Sequence, residues 1–171
     1  MKESITVIIP THERHHLLFR AIDYYDQLDV SVLIVDSSQS ILDKKLPENI
    51  TYMHLPGLLF GDKIYTGLCS VSSPFACLSA DDDFLAENGL KAGQEFLEKN
   101  LDYVSVQGHY IQFDPSNPKE QYNAVYPDMI GYKNDSDFIK DRTPKSLVFP
   151  HIYALHRTDI LKNSIGITLG I

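Results

Sequence analysis

Three groups of polar residues stand at the ends of apolar runs, and their side chains are the ones here that could do chemistry. Thr11-His12-Glu13-Arg14 follows the run from Ser4 to Pro10, Asp36-Ser37-Ser38 follows Val30 to Val35, and Asp81-Asp82-Asp83 follows Phe75 to Ala80. Three consecutive carboxylates at the end of a buried segment repel one another unless a positive charge sits among them. A divalent cation answers that need, and hard oxygen ligands select Mg²⁺ or Mn²⁺ over a thiolate-loving metal. The competing explanation is a solvated turn capping a helix that starts near Leu85, because Asp suits both an N-cap and the first turn of a helix. The triplet alone leaves both open.

For the three clusters to meet, the runs that precede them must be neighbouring strands. Ser4 to Ile9 is rich in β-branched residues and is expected to end as a strand at Pro10, which has no N–H for a ladder. From Glu13 the period changes: Leu17, Leu18, Ala21, Ile22, Tyr25 and Leu28 fall at helical spacing, with Arg14, Arg20, Asp23 and Asp26 between them. Val30 to Val35 is nearly continuously apolar, as a strand covered on both faces should be, so strand, helix and strand form a βαβ unit. Beyond the polar stretch Ser37 to Lys45, the pattern predicts a strand over Ile50 to Leu55, a Gly-rich connection over Pro56 to Gly61 and a helix over Asp62 to Ser72. A buried strand from Phe75 to Ala80 comes next, then a helix with Ala86, Leu90, Gly93 and Leu97 on one face, then a strand over Asp102 to Phe113. Asp114 to Pro118 reads as a loop, Ala124 to Tyr132 as a strand, and Asp135 to Asp141 and Arg157 to Asn163 as helices. The alternation βαβαβαβαβ implies an α/β domain with a mostly parallel sheet, in which ligands bind outside the carboxyl ends of the strands.

Composition narrows the partners. The chain has 171 residues, 43% hydrophobic, with 15 Lys and Arg against 23 Asp and Glu for a formal charge of −8. That size and composition suit one globular domain, without internal repeats or an evident linker. A nucleic-acid partner is not expected, because phosphate-backbone binding rests on clustered Lys and Arg. The apolar runs fall far short of the roughly 18 residues of a membrane span. With no span and no secretory pattern, the expected address is the cytoplasm, or a peripheral position at the inner face of the membrane. Cys69 and Cys77 make no CxxC pair, which argues against a disulfide scaffold or a thiolate zinc site. The Gly-rich phosphate loops of P-loop and dinucleotide-binding proteins are absent, as is a G-x-S-x-G nucleophile elbow around Ser37 and Ser38.

Taken in register, Ile5 to Arg14, Leu33 to Ser38 and Leu78 to Phe84 resemble the amino-terminal half of the GT-A nucleotide-sugar glycosyltransferases, closest to glycosyltransferase family 2. That family has a strand ending in Pro-Thr-Tyr-Asn-Arg, a strand ending in Val-Asp-Asp-Gly-Ser, and a later strand ending in a D-x-D element. The resemblance covers about residues 4 to 100 and implies a GT-A-like, Rossmann-like α/β sandwich. It implies that Thr11, Glu13 and Arg14 lie beside the donor nucleotide, that Asp36 reads the base edge, and that Lys63 lies near the base. A carboxylate suits the imide N–H of uracil, so a UDP-sugar is the favoured donor. Asp81 and Asp83 become the outer members of the D-x-D, one near the ribose and one on the Mn²⁺ or Mg²⁺ that bridges the diphosphate, and both are metal candidates. Asp82 joins the set because aligning Leu78-Ser79-Ala80-Asp81 on the family's Leu-Asp-Ala-Asp puts Ser79 at its first carboxylate. His12 in place of an aromatic, Glu13 in place of Asn, and Ser37-Ser38-Gln39 in place of Asp-Gly-Ser mark a divergent subgroup.

The implied reaction is metal-assisted transfer of a sugar to a saccharide or lipid-linked acceptor hydroxyl, with inversion, in polysaccharide biosynthesis. An inverting enzyme needs a carboxylate base for the acceptor. The family places it beyond the segment that His151 to Leu161 resembles. The expectation is therefore a truncated domain, with residues 1–113 as the donor half and 114–171 as the start of the acceptor half. The base and further domains would lie past Ile171, with Asp159 the remaining candidate inside the chain and helix capping its competing role. Two rivals stand beside this reading. A pyrophosphorylase should carry a Gly-rich basic loop where Thr11 to Arg14 has none, and a non-catalytic module would keep the donor site without the base. His12, His15 and His16 read as a solvated helix start, and His109 and Tyr110 as ordinary strand positions. Tyr122, Tyr126, Tyr132 and Tyr153 could stack on acceptor sugars or pack in the core.

Overall fold

The structure is a computed structural model that describes residues 4–109, 111–112, 123–124 and 153–171. The chain divides into two compact units, Met1–Gln107 with Ile152–Ile171, and Gly108–His151. The first is built on a six-stranded sheet with order β3-β2-β1-β4-β8-β5. Its strands are β1 (Ile5–Thr11), β2 (Ser31–Asp36), β3 (Ile50–His54), β4 (Phe75–Leu78), β5 (Ser105–Val106) and β8 (Leu155–Arg157). β1 to β4 pair in parallel, and β8 runs antiparallel to both β4 and β5. In the second unit, β6 (Ile111–Gln112) pairs antiparallel with β7 (Asn123–Ala124).

The period-2 alternation of the strands sorts their side chains onto two faces. Val7, Ile9, Val32 and Ile34 point to one layer, where α1 (His15–Tyr25) brings Leu18, Ala21, Ile22 and Tyr25, and α3 (Glu87–Lys99) brings Leu90 and Leu97. Ile8, Leu33 and Val35 point to the other, where α2 (Phe60–Ser70) brings Ile64 and Leu68, and α4 (Thr158–Leu169) brings Leu161. Helices thus cover both faces of a mostly parallel sheet, the α/β sandwich that the sequence pattern predicts. α2 lies close against β2 because Gly67 has no side chain: a Cβ there would stand 2.6 Å from Cγ1 of Val35.

Several expectations are corrected. β1 continues through Pro10 to Thr11, with Pro10 opposite Val35. Ile8 accepts the Ser79 N–H at 3.0 Å, so Pro10, two residues on, faces the same neighbour past the end of β4, where no ladder donor is needed. Residues 37–49 form no helix, so β3 follows β2 directly and the order begins βαββαβαβ rather than alternating strictly. The expected strand over Asp102 to Phe113 is two short strands in separate sheets, β5 and β6, broken at Gly108. The last helix extends to Leu169. Of the predicted strand over Ala124 to Tyr132, only Ala124 falls in β7; the remainder, the helix over Asp135 to Asp141, and Tyr110, Tyr122, Tyr126 and Tyr132 lie outside the described residues.

The chain goes outward from β1 to β2 and β3, then crosses back through α2 to place β4 on the other side of β1. The carboxyl ends of β1 and β4 therefore flank a topological switch point, where α/β sheets bind ligands.

Candidate functional site

A cleft of ≈ 230 Å³ opens at that switch point, lined by Pro10, Thr11, His12 and Arg14 after β1, Ser79, Ala80 and Asp81 after β4, Phe60 and Lys63 from α2, and Tyr153. Thr11 and Asp81 meet on its floor: the buried Thr11 hydroxyl donates to Asp81 Oδ2 at 2.7 Å. Arg14 reaches across from the N-cap position of α1. Its Nη2 lies 2.5 Å from Asp82 Oδ2 and 3.3 Å from Asp81 Oδ1. The Asp82 hydrogen bond and the neighbouring carboxylates raise the pKa of the Arg14 guanidinium, which stays charged. Asp83 accepts a hydrogen bond from the hydroxyl of Tyr153, another residue of the cleft wall.

The repulsion expected within the Asp triplet is thus answered inside the chain by Arg14, which bonds two of the carboxylates and whose charge the third also feels. Among the described residues no three His, Cys, Asp or Glu side chains converge on one point. Mg²⁺ and Mn²⁺ sites beside phosphates commonly use only one or two carboxylates, completed by phosphate oxygens and water. Asp82 and Asp83, both exposed beside the buried Asp81, fit that sparse donor set. A cation there would draw much of its shell from a bound phosphate.

Lys63 is only 3% exposed. Its ammonium donates to the Thr11 carbonyl at 2.5 Å and to Ser37 Oγ at 3.1 Å. Burial lowers its pKa, while Asp36 and Asp81 oppose that shift by favouring the charge. An ammonium has three N–H groups, and these two bonds use two of them in a lysine that lines the cleft.

At the end of β2, Asp36 is fully buried, at 0% exposure. Its Oδ1 accepts the Ser38 N–H at 2.8 Å and the Ser38 hydroxyl at 2.5 Å. Its Oδ2 accepts the Tyr52 hydroxyl at 2.7 Å and lies 2.6 Å from His15 Nε2. Desolvation disfavours the charge, but these hydrogen bonds outweigh it and hold the Asp36 pKa below its ordinary value. Burial and the adjacent carboxylate push the Tyr52 phenol up to about 12, so it stays a donor. Glu13 does not line the cleft. Its N–H donates to Ser38 Oγ at 2.7 Å, and its Oε1 accepts the Gln39 N–H at 2.7 Å.

Thr11, Arg14, Lys63 and Asp81 are therefore brought together at the cleft, with Asp82 and Asp83 at its rim. Asp36 and Glu13 lie in the bonded layer behind it. Asp159 is not near. β8 runs antiparallel with Arg157 opposite Phe75, and the Thr158 N–H bonds the Pro74 carbonyl at 3.0 Å. Asp159 thus sits at the amino end of β4, the far edge of the sheet from Asp81, in the first turn of α4, where a carboxylate suits the helix dipole.

Sequence reasoning missed three contributors. His15 is an Asp36 partner rather than part of a solvated helix start. Tyr52 carries no local signal, because its partner is reached only through β2–β3 pairing. Phe60, 57% exposed on the cleft wall, closes the exposed apolar run Leu58-Leu59-Phe60, which is unusual just before an amphipathic helix and could have marked it.

No protein-family model matches the chain, and no curated protein does. Among solved structures the chain is similar to S. aureus TarS 1-349, with a TM-score of 0.56 and 16% identity, covering 94% of this chain and 49% of that one. The fold is that of the GT-A-type glycosyltransferases. S. aureus TarS in a longer form gives 0.55 and 17%, covering 94% of this chain and 29% of that one. TarS 1-349 in complex with UDP gives 0.55 and 17%, covering 94% and 48%. This chain spans about half of the shorter TarS form, and the likeness at this identity is one of fold.

Proposed function

We propose that this GT-A-like chain binds a nucleoside diphosphate sugar, with a UDP-sugar favoured, and forms the donor half of a metal-dependent glycosyltransferase closest to family 2. The observation that carries the reading is the convergence of Thr11, Lys63, Arg14 and Asp81 on one cleft at the β1–β4 switch point. The UDP complex of TarS supports the same ligand class.

In this reading the diphosphate enters between Arg14 and Lys63. Lys63 offers its remaining N–H to a phosphate oxygen, in a desolvated position where charge-assisted hydrogen bonds are strong. Asp81, held by Thr11, accepts from the ribose. Asp82 and Asp83 would hold Mg²⁺ or Mn²⁺, which would supply Lewis-acid chemistry to a departing diphosphate. Arg14, a half-exposed and displaceable partner of Asp82, offers its guanidinium to the diphosphate. Phe60 presents a ring face to the ligand. The acceptor is a saccharide or lipid-linked hydroxyl, the transfer is inverting, and the base comes from outside the described residues.

A thermal-shift screen of UDP, CDP, GDP and their sugars with and without Mn²⁺ tests this, since a ligand that binds only the folded state raises its melting temperature. The expected result is a Mn²⁺-dependent rise with UDP and UDP-sugars. No rise with any nucleoside diphosphate contradicts the proposal.

A further inference from the structure

Asp36 would be the obvious side chain to read a nucleobase, yet it has no room to do so. Its exposure is 0%, and its two oxygens already take the Ser38 N–H, the Ser38 hydroxyl, the Tyr52 hydroxyl and His15. An ionised carboxylate can only accept. The Ser38 hydroxyl therefore spends its one hydrogen on Asp36, which leaves only lone pairs for its other neighbour. That neighbour is the Glu13 N–H, 2.7 Å away, a donor in the orientation these lone pairs demand.

Glu13 needs such a hold. Its φ is +55°, in the left-handed region, and it is the one non-glycine residue with positive φ among those described. That conformation costs an ordinary residue about 1–3 kcal/mol and persists only where the surroundings impose it. The surroundings here are the second loop: Ser38 takes the Glu13 N–H, Gln39 donates to Glu13 Oε1, and His12 Nδ1 lies 3.1 Å from both the Ser37 carbonyl and Ser37 Oγ. The turn so fixed carries His12 and Arg14 into the cleft, on either side of the strained residue.

We propose that Asp36 is a positioning residue for the His12–Arg14 turn, acting through the polarity it imposes on the Ser38 hydroxyl, and makes no contact with the nucleobase. The inference rests on the donor-site reading for its effect on binding. The relay itself is a property of the ligand-free chain.

The test pairs two measurements on Asp36→Asn, Ser38→Ala and Ser38→Thr. The first is amide hydrogen exchange at Glu13 without ligand. Protection is expected in the wild type and in Ser38→Thr, which keeps the hydroxyl; it is expected to be lost in Ser38→Ala and reduced in Asp36→Asn, whose neutral amide oxygen is a weaker acceptor for the Ser38 hydroxyl. The second is calorimetric affinity for UDP and CDP with Mn²⁺, two ligands that differ at the base edge an Asp would read. Asp36→Asn and Ser38→Ala are expected to weaken both nucleotides by a similar factor, roughly three- to tenfold for one lost hydrogen bond, and to leave the UDP/CDP ratio unchanged. If Asp36→Asn does not fold, the Ser38→Ala and Ser38→Thr pair carries the same comparison. A shift of the ratio toward CDP in Asp36→Asn, with Ser38→Ala binding like wild type, would overturn the inference in favour of direct base reading. Unchanged Glu13 protection in Ser38→Ala also overturns it. Wild-type protein that binds neither nucleotide, but shows the expected exchange pattern, removes the donor-site reading and leaves the relay standing.

Discussion

The carboxyl ends of β2 and β4 both present aspartate in an acidic protein, and they treat it in opposite ways. Asp36, after β2, is sealed from solvent under four donors contributed by Ser38, Tyr52 and His15. Asp81, Asp82 and Asp83, after β4, grade from buried to exposed, and their counter-charge is Arg14, whose side chain is itself 44% exposed. A carboxylate whose hydrogen bonds are complete belongs to the scaffold. One held by an exposed and displaceable cation can exchange it for a ligand or a metal. In the proposed reading, the first region serves stability and the second chemistry.

Replacing Asp36 with Ala should cause the largest loss, because it strands several buried donors at about 1–3 kcal/mol each. A fall of about 3 kcal/mol or more is expected in urea unfolding, whereas Asp83→Ala should stay within about 0.5 kcal/mol of wild type. Equal losses would erase the distinction between the regions. Gly67→Ala comes next: its Cβ would press on Val35, immediately before Asp36 on β2, at an expected cost of about 1–3 kcal/mol. If that variant is as stable as wild type, α2 is not held as closely to β2 as described.

Acid should act on the β2 end through Asp36. Its folded pKa lies below the ordinary carboxylate value, so the stability it contributes is complete above that value and is lost as pH falls through it toward the folded one. Asp36→Asn should flatten that acid limb, and an undiminished slope in a pH series of urea midpoints would point to another group. The smallest effect is expected from Arg14→Gln without ligand. Arg14 is a partly exposed partner, so its loss should change stability by less than about 1 kcal/mol, although nucleoside diphosphate affinity should fall. A large stability loss would show that Arg14 belongs to the scaffold after all.

How far the sequence reveals this arrangement depends on the range of the interaction. The β-branched runs and the helical spacing of Leu18, Ala21, Ile22 and Tyr25 are local patterns, and they delivered the α/β sandwich and the placement of Thr11, Asp36 and Asp81 at strand ends. Pro10 misled because whether a missing N–H matters depends on how far β4 extends beside it. The strand through Gly108 misled because Tyr103 to Phe113 has suitable composition throughout, while the pairing that ends β5 is with the distant β8. At the site, Asp36 was legible as a carboxylate but not as a saturated one. Its partners come from α1, the following loop and β3, and only tertiary structure joins them. Arg14 was legible as a cation near a strand end, but not as the internal partner of Asp81 and Asp82.

The most direct test of the division between the two ends is a calorimetric titration of UDP, with Mn²⁺ present, into the Asp81→Asn/Asp83→Asn double variant beside wild type. The account predicts a folded variant whose Mn²⁺-dependent UDP binding is lost. Unchanged UDP affinity in that folded variant would contradict it.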